Sequence, residues 1–196
     1  MASLALNRPG FIVGIGGSAG GLNAYKALFE AMPSNTGMAF VVVSHMFPSA
    51  NSQLAAILSR HTKMLVKIAS TAMPIEANCV YVLPPNSDIL IESYIFKVVS
   101  PRSAKNVQVD VFLTSLAEAM GARAIGIILS GYDGDGTAGC KHIKAKGGTT
   151  FAQDDSAEVD GMPKSAQSSG YVDFVLAPEE MPRELQKLAS RSNPGA

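Results

Sequence analysis

The chain has 196 residues, 47% of them hydrophobic and 16% charged, with 16 basic and 16 acidic side chains and a formal net charge of zero. That apolar content supports a sizeable core and argues against disorder, and the balanced charge leaves no basic stripe for nucleic acid. No apolar run reaches the roughly 18 residues of a membrane span.

Taken in chain order, Phe11–Ile15 reads as a strand and Gly21–Met32 as a helix. Ala39–Ser44 (AFVVVS) is a nearly unbroken apolar run, the mark of a strand buried on both faces. Asn51–Arg60 follows as a helix, then Met64–Ile68 and Cys79–Leu83 as strands. Asp88–Ile91 and Ile95–Val99 are short, rich in β-branched residues and separated by a turn, which predicts a hairpin. Gln108–Met120 is an amphipathic helix with Val109, Phe112, Leu116 and Met120 on one side. Ala124–Leu129 is another buried strand, Gly136–Ala145 a helix, Thr149–Ala152 a short strand and Tyr171–Leu176 the last strand. Pro178–Ala189 closes the chain as a helix with a Pro-led, acid-rich first turn.

This alternation predicts a three-layer α/β/α fold, doubly wound, with a mostly parallel sheet, right-handed crossovers and an added β-hairpin. One domain is expected to fill residues 1–196, with its core over about 11–188 and 190–196 (SRSNPGA) as a frayed tail or linker. Met1–Pro9 lacks the charged-then-apolar order of a signal peptide. Two cysteines, Cys79 and Cys140, make no disulfide framework and are expected to pack in the core, which suits a cytoplasmic protein. His61 and His142 fall in polar helical contexts and read as surface residues.

In such folds ligands bind beyond the carboxyl ends of the strands, so three strand ends carry the functional reading. The first strand runs into Gly14-Ile15-Gly16-Gly17-Ser18-Ala19-Gly20-Gly21, whose glycines permit a sharp turn and close backbone approach. Gly16-x-Ser18-x-Gly20 fits the nucleophile elbow, which must project a hydroxyl while the N–H of the next residue, Ala19, faces a developing oxyanion. The same stretch fits G-x-G-x-x-A from Gly14 to Ala19, a dinucleotide fingerprint, or a plain turn in which Ser18 caps a helix. At the second strand end stands His45, where a nucleotide fold wants an acid for the ribose. Imidazole, with an ordinary pKa near 6.5, suits a general base instead. The third end, Leu129-Ser130-Gly131-Tyr132-Asp133-Gly134-Asp135-Gly136, offers two acids. Either can orient an imidazole, and Asp135 can equally cap a helix. Ser18, His45 and Asp135 each follow a buried strand, so a parallel sheet brings them to one edge, and such a set is recognised by geometry and roles rather than by chain order.

Six blocks, IGGSAGG (15–21), SHMFP (44–48), VYVLPPN (80–86), ILSGYDGDGTAG (128–139), AQDD (152–155) and GMPKSA (161–166), resemble in order and spacing the catalytic domain of the chemotaxis protein-glutamate methylesterase. The resemblance covers roughly Phe11 to Leu188. It implies a triad of Ser18, His45 and Asp135, with Asp135 preceding Gly136 in the family's S/T-G-x-x-x-D-G pattern and Asp133 a variable neighbour. It implies backbone N–H groups at Ala19 and Tyr132 for the oxyanion, and a Gly161-Met162-Pro163 loop bordering the site. The implied reaction is hydrolysis of glutamate γ-methyl esters on chemoreceptor signalling helices, with deamidation of receptor glutamines as a further activity. No cofactor and no metal are implied; the partner is a methylated chemoreceptor or receptor-like protein, not nucleic acid, and no membrane insertion is expected.

Two departures stand out: Ala19 where receptor-linked members carry Thr, and Tyr132 where they carry Met. The chain also begins about ten residues before its first strand, so no phosphorylatable receiver domain is expected ahead of it. The segments AFVVVSHMFP and SLAEAMGARAIGIILSGYDGDGT look more like esterase domains fused to methyltransferase and sensor modules. Two other readings remain open on the residues alone: a nucleotide-dependent enzyme using the 14–21 glycine turn, and a non-catalytic docking module.

Overall fold

A computed structural model describes residues 7–45 and 48–191, with only the backbone given for 48–52. Seven strands form the main sheet: β1 (Ile12–Gly17), β2 (Ala39–Ser44), β3 (Leu65–Ile68), β4 (Cys79–Val82), β7 (Ala124–Ile128), β8 (Thr149–Gln153) and β9 (Phe174–Leu176). Their order is β3-β4-β2-β1-β7-β8-β9, and every adjacent pair is parallel. The expected hairpin is a separate antiparallel pair, β5 (Asp88–Glu92) and β6 (Ile95–Val99).

The unbroken apolar runs mark the strands buried on both faces. Every residue of β1, β2 and β7 is buried, and alternate side chains feed two cores. On one face Val13, Ile15, Phe40 and Val42 meet α1 (Gly21–Ala31), α2 (Pro48–Leu58) and α6 (Met181–Arg191) through Leu28, Phe29, Leu54, Leu58, Met181 and Leu185. On the other, Ile12, Val41 and Val43 pack with α3 (Gln108–Met120), α4 (Thr137–Ala145), α5 (Gly161–Ser168) and the hairpin. Val109, Phe112, Leu116 and Met120 are buried on α3 as the periodicity predicts, joined by Leu113 and Ala117. Cys79 and Cys140 are buried and free.

Four expectations are corrected. Gly161-Met162-Pro163, expected as a loop, opens helix α5 over Gly161–Ser168: the segment is short and holds Pro163, so no apolar period announces it. The last strand starts at Phe174 rather than Tyr171, because Asp173 turns its carboxylate to the Thr150 N–H and to Lys144. Ser190 and Arg191 complete α6, and the remainder of the expected tail lies outside the described residues. The glycines of β1 serve packing more than turning. A Cβ at Gly14 would stand 2.6 Å from Leu113, and one at Gly16 would stand 2.4 Å from Val109, so these two glycines let α3 lie close against the sheet.

The strand order places β1 between β2, which follows it directly, and β7, which arrives much later. The loops leaving β1 and β7 therefore part in opposite directions and open a crevice at their carboxyl ends.

Candidate active site

β1 delivers Ser18 into a three-residue turn that closes at Gly20, whose φ is +72°, and α1 begins at Gly21. A Cβ at Gly20 would also stand 2.5 Å from Ser130 Oγ, so a side chain is excluded there on two counts. The Ser18 N–H donates to Ser130 O at 2.8 Å, and Gly21 N–H donates to Ser18 O at 2.9 Å. The Ser130 hydroxyl donates to Ala19 O at 2.7 Å and accepts from the Val159 N–H at 2.9 Å. Its backbone N–H is held by Gln153 Oε1 at 3.0 Å. The end of β7 thus fixes the turn from the side. The N–H groups of Ala19 and Tyr132 donate to no group among the described residues, and both belong to segments that flank Ser18.

His45 is the first residue after β2. Its N–H donates to Gly17 O at 3.3 Å and extends the β1–β2 ladder by one step, which sets it beside Ser18. The ring is 5% exposed, and its Nε2 lies 2.5 Å from Asp135 Oδ2. A carboxylate on Nε2 assigns the ring proton to that nitrogen and leaves the Nδ1 lone pair free. Nδ1 is buried and accepts no hydrogen bond among the described residues; Asp133 Oδ2 lies 3.4 Å away, close enough to attract a protonated ring but outside hydrogen-bond geometry. Ser18 Oγ likewise makes no hydrogen bond among the described residues. Such contacts are often long before substrate arrives.

Asp135 has a side chain with no exposure at all. It caps a helix, but not the one it precedes. Its Oδ2 accepts the Val109 N–H at 2.9 Å and its Oδ1 the Asp110 N–H at 2.8 Å, two amides of the first turn of α3. Val107, at the N-cap of α3, supplies no side-chain bond of its own. Burial alone would raise the Asp135 carboxyl. The His45 hydrogen bond, the two α3 amides and the imidazole charge outweigh it and hold the group below the ordinary carboxylate value. A buried, ionised carboxylate is therefore aimed at one nitrogen of a buried imidazole; the other nitrogen makes no hydrogen bond among the described residues, and the histidine leaves its strand next to the one that delivers Ser18. That arrangement can carry nucleophilic acyl transfer. Among the described residues no group of three His, Cys, Asp or Glu side chains is placed to hold a metal ion.

The sequence profile of the CheB methylesterase family matches residues 13–185. The chain belongs to the CheB methylesterase family. Its structure is similar to that of the Thermotoga maritima CheB methylesterase catalytic domain, with a TM-score of 0.84 and 32% identity, covering 91% of this chain and 98% of that one. A Leptospira interrogans relative is 32% identical over 90% of this chain and 92% of its own length. An uncharacterised 104.1 kDa protein of Rhodobacter capsulatus is 36% identical over 65% of this chain, a stretch that makes up 14% of that protein.

Of the residues read from the sequence toward this CheB-type site, Ser18, His45, Asp135, Ala19 and Tyr132 converge, and the Tyr132 side chain is 75% exposed. Gly161 and Met162 lie against Gly131 and Tyr132 from a helix rather than a loop. They open helix α5, Met162 is 0% exposed, and its N–H donates to Gly131 O at 2.8 Å. A Cβ at Gly161 would lie 2.1 Å from Tyr132 O. The pair supports the Gly131–Tyr132 backbone from behind. Sequence reasoning missed Ser130, Gln153 and Asp110. Ser130 was within sight, as the S/T of the S/T-G-x-x-x-D-G pattern.

Proposed function

We propose that this chain is a serine hydrolase that removes methyl groups from glutamate γ-methyl esters on chemoreceptor or receptor-like signalling helices, and deamidates glutamines on the same helices. One observation carries the reading: His45 Nδ1 is a buried imidazole nitrogen without a hydrogen bond among the described residues, while Nε2 is held by an ionised, buried Asp135. Relatives within the family are named protein-glutamate methylesterase/protein-glutamine glutaminase.

Ser18 Oγ attacks the ester carbonyl as its proton passes to Nδ1. Asp135 holds the ring in the required tautomer and stabilises the imidazolium. The unpaired N–H groups of Ala19 and Tyr132 receive the oxyanion. The tetrahedral adduct collapses with cleavage of the C–O bond to methoxide, which leaves as methanol with the Nδ1 proton. Water then gives a proton to Nδ1, its oxygen adds to the acyl carbon, and Ser18 leaves with that proton, yielding glutamate. A glutamine follows the same course with ammonia leaving.

The occupation of Gly14 and Gly16 by α3 packing, and His45 in place of a ribose-binding acid, favour this reading over a nucleotide site. No helix among the described residues is long and apolar enough to cross a membrane, and two free, buried cysteines suit a reducing cytoplasm. The Rhodobacter relative, of which the match is 14%, supports a role for such a domain within a longer chain.

Incubation with methylated receptor membranes, with methanol measured, tests the proposal. The parent protein is expected to release methanol and to be labelled at Ser18 by a fluorophosphonate, and Ser18→Ala to do neither while keeping its melting temperature. Folded parent protein that takes no label would turn the reading to a docking module.

A further inference from the structure

Neither α3 nor α4 caps itself. The N-cap of α3 is Val107 and that of α4 is Gly136, and neither makes a side-chain cap bond. Each helix is capped from the other's start. Asp135, one residue ahead of Gly136, takes the N–H groups of Val109 and Asp110. Asp110, in the first turn of α3, takes the Gly136 N–H at 2.9 Å and the Gly139 N–H at 2.7 Å on its Oδ1. The exchange needs the helices to lie close. A Cβ at Gly139 would fall 2.6 Å from Leu113 Cβ, and one at Gly136 2.9 Å from Val109 Cγ1.

The peptide between Asp135 and Gly136 is therefore pinned on both sides. Gly136 takes a φ of +96° there, a left-handed conformation that glycine adopts without strain. Releasing the Gly136 N–H lets the Asp135 backbone turn, and with it the carboxylate that orients His45. We infer that Asp110 is a positioning residue for catalysis, acting through Gly136 and the α4 N-terminus to hold the Asp135 carboxylate against His45 Nε2. The inference deepens the esterase reading and rests on it.

The electrostatics agree. Burial lifts the Asp110 carboxyl above the ordinary value; the Asp135 charge adds to this, and the amides of Gly139 and Gly136 work against it. Asp135 is held low. Of two adjoining carboxylates, the one that takes up an acid proton first is Asp110, and Asp135 keeps its charge.

Two substitutions separate positioning from charge. Asp110→Ala removes the acceptor, whereas Asp110→Asn keeps an Oδ1 for both amides and removes the charge. For Asp110→Ala, kcat is expected to fall about 100-fold, the scale of a displacement of roughly 1 Å in a catalytic group, with KM within about twofold. Asp110→Asn is expected to stay within about threefold of the parent in kcat, on the same scale. The downfield proton resonance of the His45 Nε2–H is expected to shift or broaden in Asp110→Ala and to persist in Asp110→Asn. That resonance reads the geometry even if the parent hydrolyses no ester, so failure of the esterase reading and failure of this one are distinguishable. Folded Asp110→Ala with parental kcat and resonance overturns the inference. If Asp110→Ala does not fold, Asp110→Asn decides alone: retained kcat and resonance support the inference, and their loss in a folded protein overturns it.

Discussion

Replacing Asp135 by Asn tests the site most sharply, because one carboxylate holds three donors: His45 Nε2–H and the N–H groups of Val109 and Asp110. An Asn offers one acceptor oxygen and a donating NH₂. With its oxygen in the place of Oδ1, on the Asp110 N–H, the NH₂ takes the place of Oδ2 and faces both the Val109 N–H and His45 Nε2, so that donors meet. The ring escapes the clash by moving its proton to Nδ1, the nitrogen that must receive the Ser18 proton. The same exchange in serine proteases lowers kcat by about 10⁴-fold through the wrong tautomer, or about 5 kcal/mol of transition-state stabilisation. A loss of that size is expected in methanol release, with KM little changed. Stability should fall less. One charge-assisted amide bond is weakened, worth about 2 kcal/mol, or about 4–8 °C in melting temperature for a chain of this size. Asp135 is lower in the folded than in the unfolded chain. Its contribution is therefore complete above the unfolded carboxylate value near 3.9 and drains as pH falls below it. The melting temperatures of parent and variant should differ at pH 7 and converge toward pH 3. A folded Asp135→Asn protein within tenfold of parental kcat would refute the assignment of the carboxylate.

Two further substitutions address the turn. Gly131→Ala puts a Cβ 2.1 Å from Met162 Sδ and 3.0 Å from Ser18 Cβ; with Met162 buried, the strain passes to the turn, and loss of fluorophosphonate labelling with a lowered melting temperature is expected, whereas unchanged labelling would show that β7 does not set the elbow. Ser130→Ala frees Ala19 O and leaves the Val159 N–H unpaired; kcat should fall about 10- to 100-fold, as for a displaced catalytic group, and Ser130→Thr, which keeps a hydroxyl, should restore most of it.

The layout of the sheet was legible because β1, β2 and β7 are buried on both faces, and only unbroken apolar runs satisfy that environment. Residues 161–168 were illegible for the opposite reason. A helix of 8 residues led by Gly161 and interrupted by Pro163 shows little period, and it is held by burial of Met162 and Ala166 under tertiary packing. The glycines of the first strand could be read as conformational, but their spacing of two is a packing signal. Gly14 and Gly16 share one face of β1, the face on which α3 lies.

The site divides along the same line. Ser18 and His45 were legible because each directly follows a strand, and Asp135 because it lies in the loop leaving β7; parallel strands present their carboxyl ends together. The groups that hold them were not, because their partners are distant in sequence: Ser130 Oγ reaches Ala19 O across 111 positions and Asp110 reaches Gly136 across 26. Nothing local distinguishes Asp110 from any acid in a helix's first turn, or Asp135 from any acid before a helix. Asp135 was readable as a cap, and both are caps, but of each other's helix. That exchange also decides between the two acids of the third strand end. Asp133 stays partly exposed, with its Oδ1 on the Asp135 N–H, and so has little to fix its charge toward the ring. Asp135 is buried where the His45 hydrogen bond and two amides at a helix N-terminus keep it ionised. The packing of α3 on β1 and α4 thus supplies the field that makes Asp135 a carboxylate rather than a buried acid, and a substitution that loosens this packing is expected to lower kcat before it unfolds the chain.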